Sequence, residues 1–183
     1  MLEEEEMDLP KVEVKKILYA TDLSENARYA FAYAVSLSNL YGAQITLLHV
    51  LHEVPELVDA HVIGYISEER WEEIKNRHLL DARETLVGKR KDHEAIREVL
   101  GQFCEDAKES PECGPFVADE IIVKYGNPAE QILLQAEESQ CDLIVMGTHG
   151  QKTLADTLLG NTARRVIRRS KTPVLVVRLP EED

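Results

Sequence analysis

The chain has 183 residues, 44% of them hydrophobic, and a formal net charge of −13. That length and apolar content suffice for a single domain, residues 1–183, with a full core and no metal or disulfide framework. The charge excludes broad binding to nucleic acid or to an anionic membrane, because both need a basic surface.

The acidic tail, residues 1–12, opens with Met1-Leu2-Glu3-Glu4-Glu5-Glu6, the opposite of a secretory signal, which wants positive charge and then an apolar core. No stretch reaches the roughly 20 apolar residues of a membrane-spanning helix. A cytoplasmic protein is expected. Cys104, Cys113 and Cys141 form no C-x-x-C pair, and an odd count fits a reducing compartment. Cys104 and Cys113 could still pair within one loop.

Five β-rich runs follow along the chain, at residues 14–19, 44–51, 119–125, 142–147 and 173–178. Most are nearly continuous in Ile, Leu and Val, as expected for parallel strands covered on both faces. Between the first two, Ala27, Ala30, Phe31, Ala34, Leu37 and Leu40 or Tyr41 recur at helical spacing, with Gly42 as a stop. Residues 53–117 form an insertion-rich crossover. It holds a long helix or helix pair from Glu68 to about Lys108, with Trp71, Ile74, Leu79, Leu86, Ile96, Val99, Leu100 and Phe103 as its apolar set. The segment Gly88-Lys89-Arg90-Lys91-Asp92-His93-Glu94 interrupts the apolar repeat and predicts a kink or extra turns. Asn127-Pro128 opens another helix with Ile132, Leu133 and Ala136 on one face, and a last helix carries Leu154, Leu158, Leu159, Val166 and Ile167. Strand and helix in alternation predict right-handed crossovers in a doubly wound α/β sheet, with helices on both faces.

Chemistry concentrates after the fourth strand. Gly147-Thr148-His149-Gly150 is followed by nine residues and then by Gly160-Asn161-Thr162 at the start of a helical pattern. Glycines let backbone N–H groups approach an anion, and a helix start adds unpaired donors and a positive dipole end. The same glycines after a strand could serve only as turn residues. His149 could contact phosphate or face solvent. Asp22 and Glu25 have capping-box-like spacing, with Ser24 as the competing cap. The basic residues Arg164, Arg165, Arg168, Arg169 and Lys171 read as a solvated helix face and a complement to its dipole. His49 and His52 make a poor metal pair on a strand end, no G-x-S-x-G elbow is present, and Cys141 precedes a buried strand. Neither a catalytic constellation nor a zinc site is expected.

Lys16-Ile17-Leu18-Tyr19-Ala20-Thr21-Asp22-Leu23-Ser24, Leu47-Leu48-His49-Val50, Gly126-Asn127-Pro128-Ala129-Glu130, Asp142-Leu143-Ile144-Val145-Met146-Gly147-Thr148-His149-Gly150 and Pro173-Val174-Leu175-Val176-Val177-Arg178 together resemble the universal stress protein family. The likeness spans nearly the whole chain outside the acidic tail and much of residues 53–115. It implies strand order 3-2-1-4-5 and a homodimer joined through the last strand, residues 173–178. Within the family's ATP-binding type, G-x2-G-x9-G wraps the phosphates, and Gly147, Gly150 and Gly160 match it. Asn161 stands at the family's hydroxyl position, with Thr162 one place later, which weakens the inferred third-phosphate contact most. By the same carry-over Asp22 contacts the ribose, Ala20 and Val50 frame the adenine, and Thr21, Met146, Thr148 and His149 complete the site. Ala20 replaces a frequent proline, and Val50 could equally be a core residue. The implied ligand is ATP, or AMP or ADP, with or without magnesium. The function implied is a dimeric stress or signalling module with an unknown protein partner. A nucleotide-independent interaction protein and a slow ATPase or adenylyl-transferring enzyme are the alternatives.

Overall fold

The computed structural model describes residues 9–51, 65–81, 88–148 and 159–179. Five parallel strands form one sheet: β1 (Lys16–Thr21), β2 (Gln44–Leu51), β3 (Val117–Tyr125), β4 (Leu143–Gly147) and β5 (Val174–Val177). Their order is β3-β2-β1-β4-β5, as the family resemblance implies. Helices α1 (Glu25–Tyr41), α2 (Glu68–Asp81), α3 (Gly88–Glu109), α4 (Pro128–Glu138) and α5 (Asn161–Arg169) connect or flank them.

Side-chain alternation divides each strand between two cores. Ile17 and Tyr19 of β1 join Phe31, Val35, Ile45, Leu47, Trp71, Ile96 and Leu100 beneath α1, α2 and α3. Leu18 and Ala20 join Leu48, Ile132, Ile144, Met146 and Val166 beneath α4 and α5. Helix ends follow local chemistry. The Ser24 hydroxyl accepts from the Ala27 N–H at 3.1 Å at the start of α1, and Gly42 takes φ 66° at its end. Asn127 caps α4, with Pro128 in the first turn.

Several boundaries move from the sequence reading. The first strand begins at Lys16 rather than residue 14, because its pairing to β2 starts at Lys16↔Gln44 and Asp142 accepts both the Lys15 and Lys16 amides just before it. The third begins earlier, at Val117, where an irregularity against Ile45 and Thr46 lets Ala118 and Glu120 pair around Asp119. The crossover holds a helix pair, but Gly88 to Glu94 is the start of α3 and not a break. Lys, Arg and Glu are good helix formers, so a gap in the apolar repeat does not end the helix. Trp71, Ile74, Ile96, Val99 and Leu100 are buried and Phe103 packs partly against them; the side chains of Leu79 and Leu86 lie outside the described residues. The last helix starts only after Gly160, whose backbone is extended. Val166 is buried there but Ile167 is 46% exposed, since neighbours about 100° apart cannot share a narrow inward face. Leu154 and Leu158 lie outside the described residues. Both Leu40 and Tyr41 are exposed, so the inward face of α1 ends at Ser38. The three cysteines are free, Cys104–Cys113 included.

Candidate functional site

The strand order reverses at β1, which lies between β2 and β4. Helix α1 leaves β1 over the first core, while α4 enters β4 over the second. A crevice therefore opens beyond the carboxyl ends of β1 and β4, where ligands bind in sheets of this kind.

The β1 side of the crevice is the turn from Thr21 to Ser24. Thr21 is buried, and its hydroxyl accepts from the Leu23 N–H at 3.0 Å. Asp22 is half-buried, and its Oδ1 accepts from the Ser24 N–H at 3.1 Å. Ser24 is therefore the helix cap, and Asp22 closes a separate turn before it. Leu23 sits at φ 64°, a left-handed conformation that costs a bulky residue free energy. The Thr21 carbonyl also accepts from His49 Nδ1 at 2.8 Å.

Above this turn lies a group of buried hydroxyls. Tyr65 OH is 2.8 Å from Thr21 Oγ1 and 3.2 Å from Tyr19 OH, and it donates to the Ser24 carbonyl at 3.3 Å. Tyr19 OH donates to the Ala27 carbonyl at 2.7 Å. Burial pushes the Tyr65 phenol up to about 12 and holds that of Tyr19 well above its ordinary range. Both stay neutral donors throughout the physiological range.

The β4 side is Met146-Gly147-Thr148. A Cβ on Gly147 would lie 3.1 Å from Asn26 Nδ2 and 3.3 Å from the Asn26 backbone carbon, so glycine is what lets α1 come this close. Thr148 acts as a clasp. Its hydroxyl accepts from Asn26 Nδ2 at 3.0 Å, its N–H donates to the Val177 carbonyl at 2.9 Å, and its carbonyl accepts from the Gly160 N–H at 2.8 Å. The last bond brings the start of α5 to the end of β4. Gly160 has no side chain to cap the helix, Asn161 is exposed and Thr162 half-buried in the first turn. A helix start left uncapped in this way suits an anion.

Ala20 and Met146 are paired in register and share the second core with Val50. They form an apolar floor on the opposite side of the sheet from Thr21 and His49. Thus the structure brings Ala20, Thr21, Asp22, Met146, Gly147, Thr148, Gly160, Asn161 and Thr162 to one end of the sheet, with Val50 in the penultimate position of β2. His149 and Gly150 lie outside the described residues. Arg164, Arg165, Arg168 and Arg169 are exposed along α5. Among the described residues, no group of three or more His, Cys, Asp or Glu side chains is arranged to hold a metal ion. Burial pushes the Cys141 thiol up to about 11 and that of Cys104 to about 12, which leaves both poor nucleophiles. No helix among the described residues is long and apolar enough to cross a membrane.

A family model described as the universal stress protein family matches residues 13–178. The chain belongs to that family. Universal stress protein MJ0577 of Methanocaldococcus jannaschii is 34% identical over 173 residues, covering 90% of this chain and 94% of that protein. Universal stress protein YxiE of Bacillus subtilis is 33% identical over 165 residues, covering 89% and 98%. The solved structure of MJ0577 matches with a TM-score of 0.62 at 30% identity, over 93% of this chain and all of the other. A universal stress protein family member from Arabidopsis thaliana, solved with AMP bound, matches with a TM-score of 0.52 at 16% identity, over 91% and 92% of the two chains. That likeness shows the shared fold.

Three site residues of this universal stress protein escape the sequence reading: Asn26, His49 as a turn brace, and Tyr65. Asn26 could have been sought as the neighbour that a strand-end glycine admits. Tyr65 has no local signal, because its partner Thr21 lies 44 residues away in the chain.

Proposed function

We propose that this protein binds an adenine nucleotide in the crevice between the ends of β1 and β4. One observation carries the reading: the Asp22 turn, Gly147 and the uncapped start of α5 at Gly160 converge at the point where the strand order reverses. Asp22 accepts from the ribose hydroxyls, and Ala20, Met146 and Val50 supply an apolar surface for the base. Backbone donors around Gly147, Gly150, Gly160, Asn161 and Thr162 hold the phosphates, with His149 beside them. The AMP held by the Arabidopsis relative supports adenine as the base. Asn161 can donate from its amide, yet it lacks a hydroxyl, so AMP and ADP are credible ligands beside ATP, with magnesium accompanying the longer phosphates.

The nucleotide state biases a homodimer joined through residues 173–178, and through it a protein partner in stress response or signalling. In support, β5 is an edge strand within the chain and can accept a further strand. Rapid hydrolysis is not part of this reading; at most hydrolysis is slow and partner-dependent, with His149 as the candidate for activating water.

Mass spectrometry of the protein purified without added ligand, followed by calorimetry with AMP, ADP and ATP, tests the proposal. We expect a co-purifying or titratable adenine nucleotide. No binding of any of the three at millimolar concentration would overturn the site and favour a nucleotide-independent interaction protein.

A further inference from the structure

The crossover between β2 and α2 carries none of the family motifs, yet it delivers Tyr65 to the turn that holds Asp22. We propose that Tyr65 is a positioning residue for ribose recognition: through Thr21 and Ser24 it locks the turn that sets the Asp22 carboxylate at the crevice. This rests on the adenine-nucleotide reading of the site.

A proton inventory shows why the hydroxyl matters. Tyr19 donates its single proton to the Ala27 carbonyl, and Tyr65 donates its own to the Ser24 carbonyl. With the Tyr65 proton on the Ser24 carbonyl, Thr21, 2.8 Å from Tyr65, is the donor of that pair, while one of its two lone pairs accepts from the Leu23 N–H. The chain Leu23 N–H, Thr21, Tyr65, Ser24 carbonyl thus closes a ring around Asp22. Within that ring Leu23 is held at φ 64°, a conformation that persists only where the surroundings over-determine it. The Tyr65 ring is itself fixed, 5% exposed and with its centroid 4.7 Å from that of Phe103. His49 braces the same turn from β2 through the Thr21 carbonyl. Tyr65 ties both ends of the turn, Thr21 and Ser24.

Tyr65→Phe keeps the ring against Phe103, and the bonds from Tyr19 to Ala27 and from Leu23 to Thr21 remain. The fold should survive, as near-ultraviolet circular dichroism would report. The turn, however, loses its closure, leaving the buried Thr21 proton without its acceptor.

The experiment compares binding of ATP with that of 2′,3′-dideoxy-ATP, which lacks both ribose hydroxyls. Wild type should prefer ATP, and Asp22→Ala should abolish the preference. We expect Tyr65→Phe to weaken ATP by roughly tenfold and the dideoxy analogue far less, so that the ratio of affinities collapses. Thr21→Val should behave like Tyr65→Phe, while Thr21→Ser, which keeps the hydroxyl, should retain the ratio. A purely structural tyrosine would weaken both ligands alike, and an unchanged ratio in Tyr65→Phe would overturn the proposal while the nucleotide site stands. Binding of neither ligand by wild type would instead overturn the nucleotide reading and this proposal with it.

Discussion

The two ends of the sheet are built on different terms. At the amino end, the Asp142 carboxylate accepts from the Lys15 and Lys16 amides at 2.7 and 2.9 Å, and its own N–H donates to the Lys16 carbonyl. A left-handed residue there, Gln140, is an exposed stop after α4, followed by a bond from the Cys141 N–H to the Ala136 carbonyl. At the carboxyl end, the left-handed residue is a buried leucine, a glycine is pressed against α1, and buried hydroxyls close the turn. Gln140 serves the helix it ends. Leu23 serves no helix stop; it lies between the Asp22 turn and the Ser24 cap. The strained, buried leucine thus lies at the end of the sheet where a ligand is proposed.

The sharpest way to break this contrast is at Gly147. In Gly147→Val, the new side chain meets both the Asn26 amide and the α1 backbone, which cannot yield as a flexible chain end would. Overpacking of this kind costs about 1–3 kcal/mol, and α1 should be pushed away from β4. Adenine-nucleotide affinity should fall by roughly a hundredfold, equivalent to about 3 kcal/mol, when calorimetry is run at a temperature where the variant is still folded. Retained affinity would show that the close approach of α1 to β4 matters to the fold alone.

The matching change at the other end is Asp142→Ala. It removes the acceptor of two backbone N–H groups while touching nothing near the crevice. Urea unfolding should show a loss of about 2 kcal/mol, with nucleotide affinity unchanged. A fall in affinity comparable to that of Gly147→Val would erase the proposed division between the ends.

How much of this was legible in the sequence follows the range of the forces involved. Ser24 could be read as one of two competing caps, and Asn127-Pro128 as a helix start, because such signals act within two or three residues along the chain. The sheet order was implied by the family resemblance, and the inward faces of α1 and α4 could be read from their periodicity. Gly147 could be picked out, but for only one reason: the sequence suggested room for a phosphate, whereas the structure adds the packing of Asn26. Thr148 was grouped with the ligand contacts on its position in the motif, and its hydroxyl proves to be engaged by Asn26. Tyr65 and His49 were invisible as braces, because contacts across 44 and 28 residues leave no spacing signature. The start of α3 was misread because apolar periodicity reports which face is covered, not whether the backbone is helical.

The smallest expected effect reads the carboxyl end through its tyrosines. The Tyr65 phenol is raised from about 10 in an unfolded chain to about 12 by burial, against the lowering influence of its bond with Thr21. Above pH 10 the unfolded chain loses this proton while the folded protein keeps it, so the unfolded state binds fewer protons and stability falls as pH rises. The contribution is fully present below pH 10 and lost progressively towards pH 12, at up to about 1.4 kcal/mol per pH unit for one such group. Tyr19, buried still more completely, adds a slope of the same sign. Urea melts at pH 9, 10 and 11 should therefore show declining stability, and Tyr65→Phe should remove part of the decline. Among the described residues the buried phenols are those of Tyr19 and Tyr65, both at the carboxyl end, so Asp142→Ala should leave the slope intact. An equal slope in wild type and Tyr65→Phe would mean that the Tyr65 hydroxyl reaches water, and the closed turn around Asp22 would lose its support.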